Sequence, residues 1–466
     1  VALGAFTAFL DVEAARAAWP DDPYRNVPLC TAEHAQVDPA ITTDGAGGAI
    51  VTWQDARRSV GIGSDADIYA QRVDGNGVTR WAQNGVGICT ADKHQISPAI
   101  VADGAGGAII LWSDARGGGP LVTYAQRVNA SGTPLWSPNG IAVCRGFGGQ
   151  MNLSAVADGA GGAIVAWQDG RGGAGFDIYA QRIDGTGALR WASEGVALCT
   201  AAAIQANPVV ASDGAGGAIV AWEDSRGLPT NVYAQRVDAN GTRLWSLDGV
   251  PVCRSPRGGL AAPTIATDGA GGAIVAWQDR RSGAADVYAQ RIGSSGSTQW
   301  ADDGVALCTA PGDQIRPAIA SDDTGGVIVT WESHGNPASS EIVAQRVQSN
   351  GALFWGSDGV TLCPTPGRAS NPTLGADGSG GAIVSWEDGR GGTSDIYVQR
   401  MSPAGAAQWT PGGVAICTAD KDQAAPRLVS DGGGGAILTW EDLRGDSGWD
   451  VYAQRVDRTG KLGGGQ

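Results

Sequence analysis

The chain has 466 residues, a formal net charge of -15 and 74 glycines against five Phe and two Met. Interior glycine costs a helix about 1 kcal/mol relative to Ala, so long helices are excluded. The negative charge disfavours nucleic acid as a partner, and no apolar run is long enough to span a bilayer as a helix.

The chain opens with "VALGAFTAFLDVEAARAAWP". Residues 1–18 read either as the remnant of a secretory signal, with Ala15 and Ala17 at the small-residue cleavage positions, or as an apolar extension that packs on the domain. Either reading leads to an exported protein, extracellular or at the cell surface. Residues 19–30, "WPDDPYRNVPLC", carry Trp19 and Cys30 and resemble the closing part of a unit that recurs throughout the chain.

That unit is marked by Trp53, Trp112, Trp167, Trp222, Trp277, Trp331, Trp386 and Trp440, each ending an apolar run. In residues 207–253 four strands are predicted. "PVVAS" is followed by a glycine turn, "AIVAW" by a polar loop, "NVYAQRV" by a second turn, and "GVPVC" closes the unit. Four short strands per unit in tandem predict an all-β fold, a single eight-bladed β-propeller of four-stranded antiparallel blades over residues 19–466. The eighth unit stops after its third strand, so residues 19–30 are expected to complete blade eight. The same strand inserted into another molecule would propagate a filament.

One cysteine falls in each fourth strand, too far from its neighbours for disulfides, and no Cys/His cluster suggests a metal; no cofactor is expected. Two charged pairs recur. A turn Asp and a third-strand Arg fall at the same blade end and predict a structural ion-pair ring. Its members are Asp44 with Arg72, Asp103 with Arg127, Asp158 with Arg182, Asp213 with Arg236, Asp268 with Arg291, Asp322 with Arg346, Asp377 with Arg400, and Asp431 with Arg455.

The second pair follows the Trp and falls at the opposite face. It comprises Asp55 and Arg57, Asp114 and Arg116, Asp169 and Arg171, Asp224 and Arg226, Asp279 and Arg281, Asp388 and Arg390, and Asp442 and Arg444. Blade six departs with "WESHG", which puts His334 in this loop. Gln36, Gln95, Gln150, Gln205, Gln314 and Gln423 join the same face, as does Trp449, an aromatic suited to stacking on a sugar or anchoring a partner. This face is the candidate binding face. His34 and His94 belong to neighbouring loops and form no catalytic constellation with His334, so no catalytic residue is assigned.

The segment "DGTGALRW" (184–191) resembles the tryptophan-docking motif of quinoprotein propellers, one residue shorter, and the Asp-box turns of sialidase-like propellers. In those families such motifs hold blades together. Alcohol-oxidising quinoproteins add a calcium site, an aspartate base and an adjacent-cysteine disulfide, and this chain has no adjacent Cys pair. Sialidases add an arginine triad with Tyr and Glu, which has no counterpart here. Over residues 19–460 the chain is most similar to bacterial secreted propeller repeats of the form "DIYAQR-D-x-x-G-x-x-x-W".

The resemblance implies an exported bacterial propeller. Near-identical loops imply a non-catalytic binding or assembly module with a protein or glycan partner. The alternatives are a filament subunit joined through the N-terminal segment, and an enzyme, hydrolase or quinoprotein-like, working at the axis of the Asp/Arg face.

Overall fold

The computed structural model describes residues 19–58, 65–144, 146, 148–173, 175–227, 229–254, 259–336, 339–363 and 368–463. Residues 1–18, with the question of signal or extension, lie outside the described residues. Every named element among them is a strand, and no helix is long and apolar enough to cross a membrane.

The strands form eight antiparallel sheets of four. In blade one they are Gln36–Thr43, Ala49–Asp55, Asp67–Val73 and Val86–Cys89. Blade eight takes Gln423–Ser430, Ala436–Asp442 and Asp450–Val456 from the end of the chain, and its fourth strand is Val27–Cys30 from the beginning, with Val27 opposite Ala453. The first strand of each blade touches the first strands of both neighbours, and that of blade eight touches that of blade one. The ring is therefore closed, and the first strands surround its axis.

The sequence explains the layers. In the second strand even successive residues are buried, Ala163 to Asp169 without exception, because neighbouring blades cover both faces of each sheet. Each hydrophobic cluster joins two blades: Ile50, Ile68, Trp81 and Ile88 of blade one pack with Ala108, Ile110 and Trp112 of blade two. The fourth-segment Trp is the pin between them. The Trp81 indole N–H donates to the Ala130 carbonyl of the next blade at 3.1 Å, and its ring lies where a side chain on Gly132 would stand. Trp19 makes the same contact across the closure, donating to the Gly75 carbonyl at 3.1 Å. The ring is thus sealed by the same device that joins its interior blades.

Candidate functional site

The two recurring charged pairs meet different surroundings. At the glycine-turn face, the third-strand arginines reach the turn aspartates in all eight blades at 2.8–3.0 Å, from Arg72–Asp44 round to Arg455–Asp431. The aspartate also holds its own turn: Asp44 Oδ1 accepts from the backbone N–H of Ala46 and Gly48 at 2.8 Å. Arg72 further donates to the Ala130 carbonyl in the next blade at 3.2 Å, so the pair joins blades as well as strands.

The Asp-x-Arg pairs at the other face are also interior structure, and the expectation that their carboxylates line an open binding face is corrected. Asp55, Asp114, Asp169, Asp224, Asp279, Asp388 and Asp442 are all buried. Each accepts the indole N–H of the Trp two residues earlier, at 2.7–3.1 Å. Each also receives the Nε of its arginine at 2.7–2.9 Å. The guanidinium lies 3.8–4.1 Å above a third-strand Tyr ring. In six blades it donates to the cysteine of the preceding blade at 2.9–3.2 Å.

A buried charge needs such partners, and here all of them come from the protein. The eight cysteines are buried, unbridged thiols; burial pushes Cys30 up to about 12 and Cys308 to about 11. The loop glutamines are interior too: Gln36, Gln95, Gln205, Gln314 and Gln423 are buried and donate to carbonyls of their own loops.

Open chemistry lies nearer the axis. Every first strand carries a bulge near its start, as between Val37 and Ala40. The bulged residues are Asp38, Ser97, Asn152, Asn207, Ala262, Arg316, Asn371 and Ala425, all with φ of 50–54°. A non-glycine residue there is strained by about 1 kcal/mol or more, and such bulges re-aim groups across a sheet. Where the preceding blade carries Glu after its second-strand Trp, the freed N–H points to that Glu. The Asp38 N–H donates to Glu441 at 2.7 Å, that of Asn371 to Glu332 at 2.7 Å, that of Ala425 to Glu387 at 2.8 Å, and that of Ala262 to Glu223 at 2.8 Å. Gln36 pairs with Asp55 in register, which puts this ring at the Asp-x-Arg end of the axis.

The ring is not eightfold in its chemistry. Blades two and three present Ser97, Ser113, Asn152 and Gln168, all uncharged. Blades six, seven, eight and one present Arg316, Glu332, Glu387, Arg427, Glu441 and Asp38. Glu332 is buried between Arg316 at 3.0 Å and His334 at 3.2 Å, and Arg316 also reaches Asn371 at 2.6 Å. Glu387 accepts from the Asn371 amide at 2.7 Å and the Ser370 hydroxyl at 3.2 Å. Glu441 is half-buried. Burial, first, then the nearby Asp38 and Glu387 charges push its carboxyl above the usual glutamate range, against the Asp38 N–H bond and Arg427. Its Oε2 makes no hydrogen bond among the described residues.

His334, singled out as the departure of blade six, joins this constellation, while His34 is an exposed loop residue. Trp449 is half-buried, and its carbonyl accepts the Gln36 N–H at 2.6 Å, two residues before Asp38. The glutamates were legible as a run, since the residue after Trp is Glu in three successive blades, Glu332, Glu387 and Glu441. What pairs each with the next blade's bulge was not legible. Among the described residues, no group of three or more His, Cys, Asp or Glu side chains is placed to hold a metal ion.

No protein-family model matches this chain, and no curated protein matches it. Solved structures match its fold. A polysaccharide lyase, the PL25 ulvan lyase, superposes with a TM-score of 0.50 at 11% identity, covering 82% of this chain and 97% of its own. A puromycin-hydrolyzing peptidase from Mycobacterium tuberculosis has a TM-score of 0.47 at 14% identity, over 91% of this chain and 61% of its own. An α-L-arabinanase from Penicillium chrysogenum has a TM-score of 0.39 at 13% identity, over 67% and 94%. At these identities the likeness is one of fold.

The sequence-based expectation of a non-catalytic binding or assembly module is corrected here. The solved structure that superposes with a TM-score of 0.50 is an enzyme, a polysaccharide lyase. The premise of that expectation, eight equivalent sets of loops, also fails at the axis, where Glu332, Glu387 and Glu441 follow Trp in three successive blades and Glu223 alone does so across the ring.

Proposed function

We propose that this chain is an exported bacterial hydrolase that cleaves glycosidic bonds at the axial mouth of its Asp-x-Arg face. The observation that carries the reading is Glu441: a half-buried carboxyl held above the usual glutamate range, with one oxygen unbonded, in the electrostatic reach of the Glu387 carboxylate. Glycoside hydrolysis works with a pair of carboxyl groups, one acting as acid and the other as base.

Glu441 Oε2 carries the proton and gives it to the glycosidic oxygen as the bond from that oxygen to the anomeric carbon breaks. Glu387 takes a proton from the attacking water, whose oxygen bonds to the anomeric carbon. The Asn371 amide, the Ser370 hydroxyl and the Ala425 N–H fix the Glu387 carboxylate. Trp449 at the same mouth supplies an aromatic face for a sugar ring. The polysaccharide lyase of similar fold is consistent with a glycan as the substrate. Export is supported by the resemblance to secreted propeller repeats.

The test is reducing-sugar release from a panel of plant and algal polysaccharides. At least one is expected to be cut, with an alkaline limb of the pH–rate profile above the usual glutamate range, because Glu441 must be protonated. Glu441→Gln is expected to lower kcat by about 10²–10⁴ without moving the thermal midpoint downward. A folded protein that cuts nothing on the panel, or a Glu441→Gln variant as active as the parent, overturns the reading.

A further inference from the structure

One cation at the axial mouth has no structural employment. Arg427 lies on the first strand of blade eight, opposite Thr439, where the other seven blades carry small or uncharged residues, Ala40, Thr264 and Thr373 among them. It is exposed, and its one side-chain hydrogen bond among the described residues goes to the carbonyl of its own neighbour Pro426, at 3.0 Å. The arginines of both repeated rings are tied to aspartates, and Arg316 to Glu332. Arg427 by contrast has no ion-pair partner among the described residues and lies close enough to Glu441 to act on its charge.

The fork geometry of guanidinium matches a carboxylate. The Asp38 and Glu387 carboxylates near Glu441 disfavour a second anion beside them. A substrate carboxylate is therefore steered to one position, beside Arg427, which fixes which sugar unit lies against Glu441.

We infer that the axial site takes a uronate-containing glycan and that Arg427 binds the sugar carboxylate; this rests on the hydrolytic reading above for its placement of the scissile bond. Galacturonate oligomers and their methyl esters share one backbone and differ in charge alone, so titration calorimetry with both isolates the contact. The acid form is expected to bind roughly ten-fold or more tightly than the ester, with the preference shrinking at high salt. Arg427→Gln is expected to erase the preference, and Arg427→Lys to keep part of it. Because Arg427 is exposed, neither change is expected to lower the thermal midpoint.

Equal binding of acid and ester, binding of neither, or a preference that survives Arg427→Gln overturns the inference. The two proposals fail separately. Charge-selective binding with no cleavage of any glycan sinks the hydrolase and leaves the anchor. Cleavage with no charge preference sinks the anchor and leaves the hydrolase.

Discussion

Blade six and blade four start from the same repeat and end differently. In blade four, Trp222 donates to Asp224 at 2.8 Å, Arg226 clasps the same carboxylate and the Cys199 sulfur, and its guanidinium lies 4.1 Å above Tyr233. Blade six has Ser333, Gly335 and Val343 at the Asp, Arg and Tyr positions. Trp331 stays fully buried, yet its indole N–H has no acceptor. A buried donor left unpaired costs about 1–3 kcal/mol. The same departure brings His334 beside Glu332 and marks one end of the charged arc on the axis. The repeat is an adhesive, and the one blade where the adhesive is missing borders the charged arc. Natural proteins break their own local rules chiefly at functional sites.

Asp224→Ala strips the acceptor from Trp222 and leaves Arg226 without its carboxylate. A loss of about 3–5 kcal/mol is expected by urea denaturation. The matching truncation in blade six, Ser333→Ala, is expected to change stability by under about 0.5 kcal/mol. Equal effects in the two blades would mean that the cluster is not what joins them.

Rebuilding blade six sharpens the contrast. Ser333→Asp, Gly335→Arg and Val343→Tyr together restore the acceptor for Trp331 and are expected to add about 1–3 kcal/mol. The same denaturation curves check this. A triple variant less stable than the parent would show that the altered pairing around Ser333 and Asn336 has already closed the space.

The smallest effect depends on pH. Asp450, beside Asp442 in the intact blade eight, is pushed from 3.8 up to about 6, by burial first and then by the Asp442 charge. Between those values the folded state holds a proton that the unfolded chain has released. Stability therefore falls as pH rises from about 4 to about 6. Asp450→Asn carries no such charge. Its stability relative to the parent is expected to be higher at pH 7 than at pH 4, by about 1–2 kcal/mol. A difference independent of pH would contradict the assigned cause. The counterpart in blade six is Glu341, which is exposed, so the penalty belongs to the intact arrangement.

The chain by itself determined the number of blades, the strand order and the closure of blade eight by Val27–Cys30. These follow from periodicity, glycine turns and the place where the last repeat stops, all of which are local. It also paired Asp44 with Arg72 by strand direction alone. The tertiary structure decided which charges face inward and which stay open. Asp55 and Glu441 both follow a second-strand Trp, one position apart in their repeats, and alternation cannot say which of them is buried among Arg, Cys and Tyr. That depends on a strained bulge at Asp38, which sends its N–H across the ring to Glu441, 403 residues away. Such a contact exists only once eight sheets share an axis, because no stretch of the sequence contains both halves of it.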